Sequence, residues 1–145
     1  MNLKDRRLYF AYGANINKIS MESRCPLAVP VKSYALRDWE LIFHSHATIM
    51  PKSGAVVHGA LWDITEYCEE SLDMFEGYPY YYSKRQWIQD GESIFFYEMM
   101  PPHTGYPSHS YIENISEGYD QWGLPVLKLA DALTTFHDEL SVYSR

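Results

Sequence analysis

One carboxylate, Glu76, lies among aromatic residues in the segment SLDMFEGYPYYYSK, residues 71–84. The neighbouring rings belong to Phe75, Tyr78, Tyr80, Tyr81 and Tyr82. Burial of an unpaired charge is costly, so we expect a carboxyl group in these surroundings to have a raised pKa. Such a group can accept and return a proton near neutral pH. The alternative is a surface glutamate at a frayed helix end, with the rings pointing inward.

A second candidate site is the loop Gly13–Ala14–Asn15, which follows the short apolar run LYFAY. Glycine and asparagine tolerate unusual backbone angles. The successive N–H groups of a loop that leads into a helix bind carboxylates and oxyanions. A tight strand-to-helix turn without a ligand explains the same residues, and for this motif alone it is the simpler interpretation.

Strand patterns fill the first hundred residues, and helical patterns close the chain. Thr65 is a good N-cap, and Gly77 is well suited to end the helix that carries Glu76. Asp90–Gly91 is the strongest hairpin signal. The predicted strands are residues 8–12, 29–36, 39–44, 47–50, 55–64, 80–89 and 93–100. A first helix is predicted after the Gly13–Asn15 loop and ends at residue 24, and three more cover residues 65–77, 110–122 and 125–143. This order predicts an α+β fold, in a single domain over residues 1–145.

Composition excludes several classes of protein. The chain has 145 residues and a formal charge of −7, with no basic stripe, so we expect no nucleic-acid partner. It shows no secretory signal and no long apolar run, which predicts a cytoplasmic protein without a membrane partner. Cys25 and Cys68 lack zinc-type spacing and are interpreted as buried, reduced thiols.

Four segments, in order and spacing, resemble the γ-glutamyl cyclotransferase family. LYFAYGAN is similar to the family's Tyr-Gly-x-Asn loop, and HATIMPKSGAVVHGALWDI to its central strand pair. SLDMFEG resembles the Leu-Asp-x-x-Glu-Gly motif that carries the catalytic glutamate, and SYIENISEGYDQWGLP resembles the C-terminal segment. The resemblance runs from about residue 8 to residue 133. It implies a small mixed β-barrel with helices packed around it.

The resemblance also assigns site residues by position. Glu76 takes the place of the general acid/base, and Tyr111 matches a tyrosine at the pocket. The loop that holds the glutamyl end corresponds to Tyr12, Gly13, Ala14 and Asn15. An aromatic hydroxyl after the glutamate is also expected. Neighbouring strand residues face opposite sides, so we assign this hydroxyl to Tyr82 rather than Tyr81.

The implied reaction closes the γ-glutamyl group of a small substrate to 5-oxoproline and releases an amine or amino acid. It needs no metal or cofactor. A related branch of the superfamily acts on γ-glutamyl-amines, and the sequence does not choose between leaving groups. A non-catalytic protein that binds a small ligand on the same scaffold is the alternative from another class. The oligomeric state is left open.

The chain departs from the family pattern in two places. Ala14 stands where many members have serine. His44 and His46 stand just before Ala47, where small residues are usual, and would share one face of a strand. A metal site there is conceivable, but further ligands are not visible. The other interpretation is that these histidines are exposed or line the pocket and alter the choice of substrate.

Overall fold

The computed structural model describes residues 6–100 and 105–143. Its strands are β1 (Arg6–Ala11), β2 (Val29–His44), β3 (His46–Thr65), β4 (Tyr82–Gln89) and β5 (Glu92–Met99). Its helices are a 3₁₀ turn (Ala14–Ile16), α1 (Lys18–Arg24), α2 (Glu66–Glu76), α3 (His109–Trp122) and α4 (Val126–Tyr143). The predicted α+β class is confirmed.

The five strands form one sheet in the order β2-β3-β1-β5-β4. All neighbours are antiparallel except β1 and β5, which run parallel. The ladder does not close, so the implied barrel is not confirmed. Side chains bridge the two edge strands instead: the buried Gln89 of β4 accepts from Arg37 N at 2.9 Å and donates to Ala35 O at 3.0 Å.

β2 and β3 form a long hairpin in which the structure corrects two predictions. We expected a turn at Asp38 and a break over residues 51–54, giving two strands on each side. Asp38 instead forms a bulge at a φ of 70°, and the ladder resumes beyond it with Trp39 opposite Pro51. The Asp38 side chain accepts a hydrogen bond from Gly54 N at 3.0 Å, so this amide of the irregular segment on β3 has a partner. The hairpin therefore stays continuous to its tip at Ser45.

The centre of the sheet is packed with aromatic rings. Phe10 on β1, Trp39 on β2 and Phe96 on β5 are almost completely buried. Trp39 and Phe96 meet edge to face with ring centroids 5.0 Å apart, a favoured aromatic geometry. Burial of each such ring stabilises the fold by roughly 1.5–3 kcal/mol. This core fixes β1, whose end leads into the candidate loop.

Helix α2 has the predicted ends. The Thr65 hydroxyl accepts from Cys68 N at 3.1 Å as the N-cap. Gly77 adopts the left-handed conformation at a φ of 68° and ends the helix immediately after Glu76. A side chain is disfavoured at this φ, so glycine suits this turn. The chain then turns back toward β4 and places the end of α2 beside the sheet.

The prediction of two free thiols is wrong. Cys25, the C-cap of α1, and Cys68 in α2 form a disulfide, with their Cα atoms 5.3 Å apart. They are 43 positions apart in the sequence, so only the packing of α1 against α2 reveals that they meet. Among the described residues, no helix has the length and apolar composition needed to cross a membrane.

Candidate active site

A cavity of about 480 Å³ opens where β1, β3, α2, β5 and α3 meet. Its walls include the seven residues that the family resemblance assigned to the site: Tyr12, Gly13, Ala14, Asn15, Glu76, Tyr82 and Tyr111. Additional lining comes from Tyr9, Tyr81, Tyr97, His46, Ala47, Met74, Phe75 and Gly77. Residues more than a hundred positions apart thus share one small-molecule-sized site.

Glu76 is the only acidic side chain among the described residues that line this cavity. It is partly buried at the last position of α2, and burial raises its pKa to about 7. Arg24 opposes this effect and lowers the pKa of the same carboxyl group. A carboxyl group with a pKa near 7 exchanges protons readily at neutral pH, as a general acid/base must.

Arg24 is a residue that the sequence interpretation missed. Its Nη1 donates to Asn15 Oδ1 at 2.6 Å, and its guanidinium carbon lies 3.7 Å from the centroid of the Phe75 ring. The side chain therefore connects the candidate loop to the last turn of α2. Its partners lie nine and fifty-one positions away, and no local pattern marks them.

The loop is a 3₁₀ turn closed by bonds from Ile16 N to Gly13 O (3.0 Å) and from Asn17 N to Ala14 O (3.2 Å). The first amides of a 3₁₀ turn have no acceptor within the turn, so those of residues 13–15 are suited to hold a ligand. Asn15 is buried, and its amide donates to the Tyr9 hydroxyl at 3.1 Å. The loop is thus fixed from within the site.

Helix α3 holds the same loop from outside. At Gly118 a Cβ would come 2.8 Å from Ile16 Cγ2 and 3.0 Å from Asn17 N, so only glycine permits this close approach. Asn114 Nδ2 also donates to Ala14 O at 3.2 Å. These contacts set the position of the loop relative to Tyr111 on the same helix.

Two tyrosine hydroxyls hold the peptide groups of the buried Ala47. Ala47 N donates to the Tyr111 hydroxyl at 3.0 Å, and the Tyr82 hydroxyl donates to Ala47 O at 2.7 Å. Gly13 lies beside them, and a Cβ there would be 3.2 Å from both the Tyr111 hydroxyl and Ala47 Cβ. Burial raises the pKa of both tyrosines far above the neutral range, so they remain protonated and act through hydrogen bonds.

The expectation that only one of Tyr81 and Tyr82 faces the pocket is wrong. Both line the cavity, with ring centroids 5.4 Å apart. Strand alternation does not apply because β4 begins at Tyr82, and Tyr81 still belongs to the preceding bend. Tyr82 is buried, whereas Tyr81 is partly exposed.

His44 and His46 are partners across the tip of the β2–β3 hairpin, with Ser45 between them at a φ of 61°. His46 lines the cavity, whereas His44 lines a separate depression with Met50 and Arg85. No group of three or more metal-ligating side chains is found in the described parts of the chain.

The last turn of α2 is anchored by a partly buried polar network. The Tyr97 hydroxyl donates to Asp73 Oδ1 at 2.6 Å, and Lys84 Nζ donates to Asp73 Oδ2 at 2.9 Å. Lys84 also pairs with Glu69 at 2.6 Å. Asp73 lies one turn before Glu76, so this network holds the backbone that carries the candidate acid/base.

The sequence profile of the family described as gamma-glutamyl cyclotransferase, AIG2-like, matches residues 9–119. A solved gamma-glutamyl cyclotransferase is 27% identical, with a TM-score of 0.77, over 88% of this chain and 86% of that one. An uncharacterized protein from Homo sapiens matches with the same values. A gamma-glutamyl cyclotransferase specific to glutathione, from yeast, shares the fold at 12% identity and a TM-score of 0.51, over 92% of this chain and 96% of that one. No curated protein matches the chain significantly.

Proposed function

The chain belongs to the gamma-glutamyl cyclotransferase, AIG2-like family, and we propose that it cyclises a small γ-glutamyl compound to 5-oxoproline with Glu76 as general acid/base. The family and its structural neighbours indicate gamma-glutamyl cyclotransferase activity. The geometry around Glu76 supports the more specific assignment.

The observation that carries this proposal is a lone carboxyl group at the cavity wall with a pKa of about 7. A γ-glutamyl compound contains its own nucleophile, the α-amine, within ring-closing reach of the γ-carbonyl. The enzyme therefore needs to move a proton and orient the substrate, and one carboxyl group is sufficient for the proton transfer.

The reaction is balanced within the substrate. Ionised Glu76 takes a proton from the α-ammonium, and the freed amine attacks the γ-carbonyl to form the lactam C–N bond. The tetrahedral intermediate then collapses with cleavage of the original amide C–N bond. Glu76 returns its proton to the departing nitrogen. The attacking nitrogen gives up its second proton as the lactam forms, and this proton also passes to the departing amine, which leaves as an ammonium ion, so no water, oxidant or reductant is consumed.

The remaining walls bind and orient the substrate in this proposal. The amides of Gly13, Ala14 and Asn15 hold the glutamyl end and stabilise developing negative charge. Tyr82 and Tyr111 fix the position of Ala47 and keep the wall next to the loop polar. A cavity of about 480 Å³ suits a ligand of dipeptide size.

The test is release of 5-oxoproline from a panel of γ-glutamyl amino acids, γ-glutamyl amines and glutathione. The proposal expects stoichiometric 5-oxoproline and free amine from at least one member. Ligand binding without turnover across the panel would instead support the non-catalytic binding protein on the same scaffold.

A further inference from the structure

The cavity has a buried floor and an exposed rim, and the two differ in chemistry. Tyr9, Tyr12 and Asn15 are buried at the floor. The rim consists of Met74, which is 85% exposed, Phe75, which is 50% exposed, the partly exposed Tyr81 and the exposed His46. With the glutamyl group bound by the loop, as proposed above, the leaving group would extend toward this rim.

His46 is the only basic side chain among the described residues that line the cavity. Its ring stands edge to face on the Tyr111 ring, with centroids 5.1 Å apart and an interplanar angle of 85°. Tyr111 is itself fixed by its hydrogen bond to Ala47 N. The imidazole therefore has a defined place at the rim although it is exposed.

Ser45 orients the same imidazole. Its Oγ lies 3.3 Å from His46 Nδ1, and Ser45 N donates to Gly105 O at 2.7 Å. When the serine hydroxyl donates to Nδ1, the proton of the neutral ring resides on Nε2. That nitrogen is then a donor for a ligand at the rim. A carboxylate on the leaving group accepts such a bond, whereas an ammonium group does not.

The other rim residues offer apolar contact. Met74, Phe75 and Tyr81 together present a flexible thioether and two rings, which suit an apolar or aromatic side chain. None of them carries a negative charge, and the Arg24 guanidinium already stacked on the Phe75 ring repels a cationic amine. Glu76 supplies the only carboxylate of the described lining, and in the proposed reaction it is engaged with the substrate amine.

We propose that this rim is a leaving-group subsite for an apolar or aromatic α-amino acid, in which His46 binds the free α-carboxylate. The inference rests on the proposed function and adds the substrate class: γ-glutamyl amino acids of this type rather than γ-glutamyl derivatives of amines that lack a carboxylate. His46 acts as a specificity-determining residue and takes no part in the proton transfer.

The experiment compares two substrates that differ only in the carboxylate, γ-glutamyl-phenylalanine and γ-glutamyl-phenethylamine. Release of 5-oxoproline from each is followed, and kcat/KM is determined for the wild-type chain and for His46→Ala, His46→Gln and His44→Ala. His44→Ala is the matched control because His44 lies across the same hairpin tip but outside the cavity. The ratio of the two kcat/KM values is independent of the fraction of folded enzyme.

The wild-type chain and His44→Ala should prefer the amino acid by about tenfold, the low end of the value of a hydrogen bond to a charged group. His46→Ala should reduce the ratio to about one, and His46→Gln, which retains an N–H donor, should keep part of it. Equal rates in the wild type, or a preference that survives in His46→Ala, would overturn the subsite. Absence of 5-oxoproline from both substrates, and from the wider panel, would instead refute the proposed function and the subsite with it.

Discussion

The guanidinium of Arg24 stacks on the ring of Phe75, with its central carbon 3.7 Å from the ring centroid. Phe75 immediately precedes Glu76, and the same guanidinium donates to Asn15 in the candidate loop. One side chain from α1 therefore fixes both the loop and the end of α2. Its positive charge also lowers the pKa of Glu76, against the larger effect of burial.

Replacement of Arg24 by glutamine should shift the pH dependence of catalysis. In the proposed reaction Glu76 acts first as a base, so the wild-type kcat/KM should fall as the pH drops through about 7. Without the positive charge of Arg24 the pKa of Glu76 rises, so this acidic limb should move to higher pH. The measurement is a pH–rate profile of both proteins.

The control for this profile is Arg37→Gln, since Arg37 is exposed, pairs with Asp90 and does not line the cavity. Its profile should coincide with that of the wild type. An Arg24→Gln limb at the wild-type position would show that Arg24 does not set the proton affinity of Glu76.

Stability should depend on pH through the same carboxyl group. The pKa of Glu76 is raised in the folded chain from its ordinary value of 4.5 to about 7. Between these pH values the folded chain binds more protons than the unfolded chain, so the free energy of unfolding falls as the pH rises. Glu76→Gln has no carboxyl group at this position and does not lose this stability. The difference between its Tm and that of the wild type should therefore increase as the pH rises from about 4.5 to about 7.

Glu70→Gln is the matched control because Glu70 is exposed on the same helix. Its Tm difference from wild type should stay constant over this range. A difference that also stays constant for Glu76→Gln would mean that Glu76 is solvated like a surface residue.

Local signals in the sequence were sufficient to predict the ends of the helix and the turn that lie next to the site. Thr65 and Gly77 fixed the ends of α2, and Asp90–Gly91 fixed the β4–β5 turn, because these residues act on their own backbone. The bulge at Asp38 depends on pairing with a distant strand, so a local turn signal misled the prediction.

The parts of the site that were not predicted from the sequence depend on the packing of distant segments. Arg24 reaches Asn15 and Phe75 only after α1 docks beside α2, and the same docking brings the two cysteines together. The family resemblance placed Glu76 and the loop by position. It carried no information on Arg24. The departure from the family pattern at His46 marked that residue as one that could line the pocket, but the other residues of the rim were not predicted.

Tyr111→Phe should lower stability as well as substrate binding. Ala47 is 3% exposed, and its N–H loses its acceptor when the hydroxyl is removed. An unsatisfied buried donor costs about 1–3 kcal/mol. Denaturant unfolding should show this decrease, and KM should rise more than kcat falls, because the hydroxyl positions the wall and does not transfer the proton.

Tyr119→Phe serves as the comparison for that variant, since Tyr119 is a buried tyrosine of the same helix that does not line the cavity. It should leave KM unchanged. If Tyr111→Phe matched Tyr119→Phe in both stability and KM, the hydrogen bond to Ala47 would be unimportant.

Ala14→Ser should change catalysis little. Ala14 lines the cavity, and its carbonyl is held by Asn114 at 3.2 Å, so the backbone of the loop is already fixed. If the loop acts through its amides, a hydroxyl at this position should change kcat/KM by no more than about threefold. This is less than the tenfold change that corresponds to about 1.4 kcal/mol. An increase far beyond this value would show that the site lacks a functional hydroxyl.

The most direct test of the account is the turnover of Glu76→Gln on a substrate identified with the wild type, with its affinity for that substrate measured in parallel by calorimetry. Glutamine keeps the shape of the side chain but cannot exchange the proton. We expect kcat to fall by about 10²–10⁴-fold, the contribution of a positioned general acid/base. The variant should remain folded and retain binding. A folded variant that keeps wild-type kcat would contradict the central claim that Glu76 moves the proton.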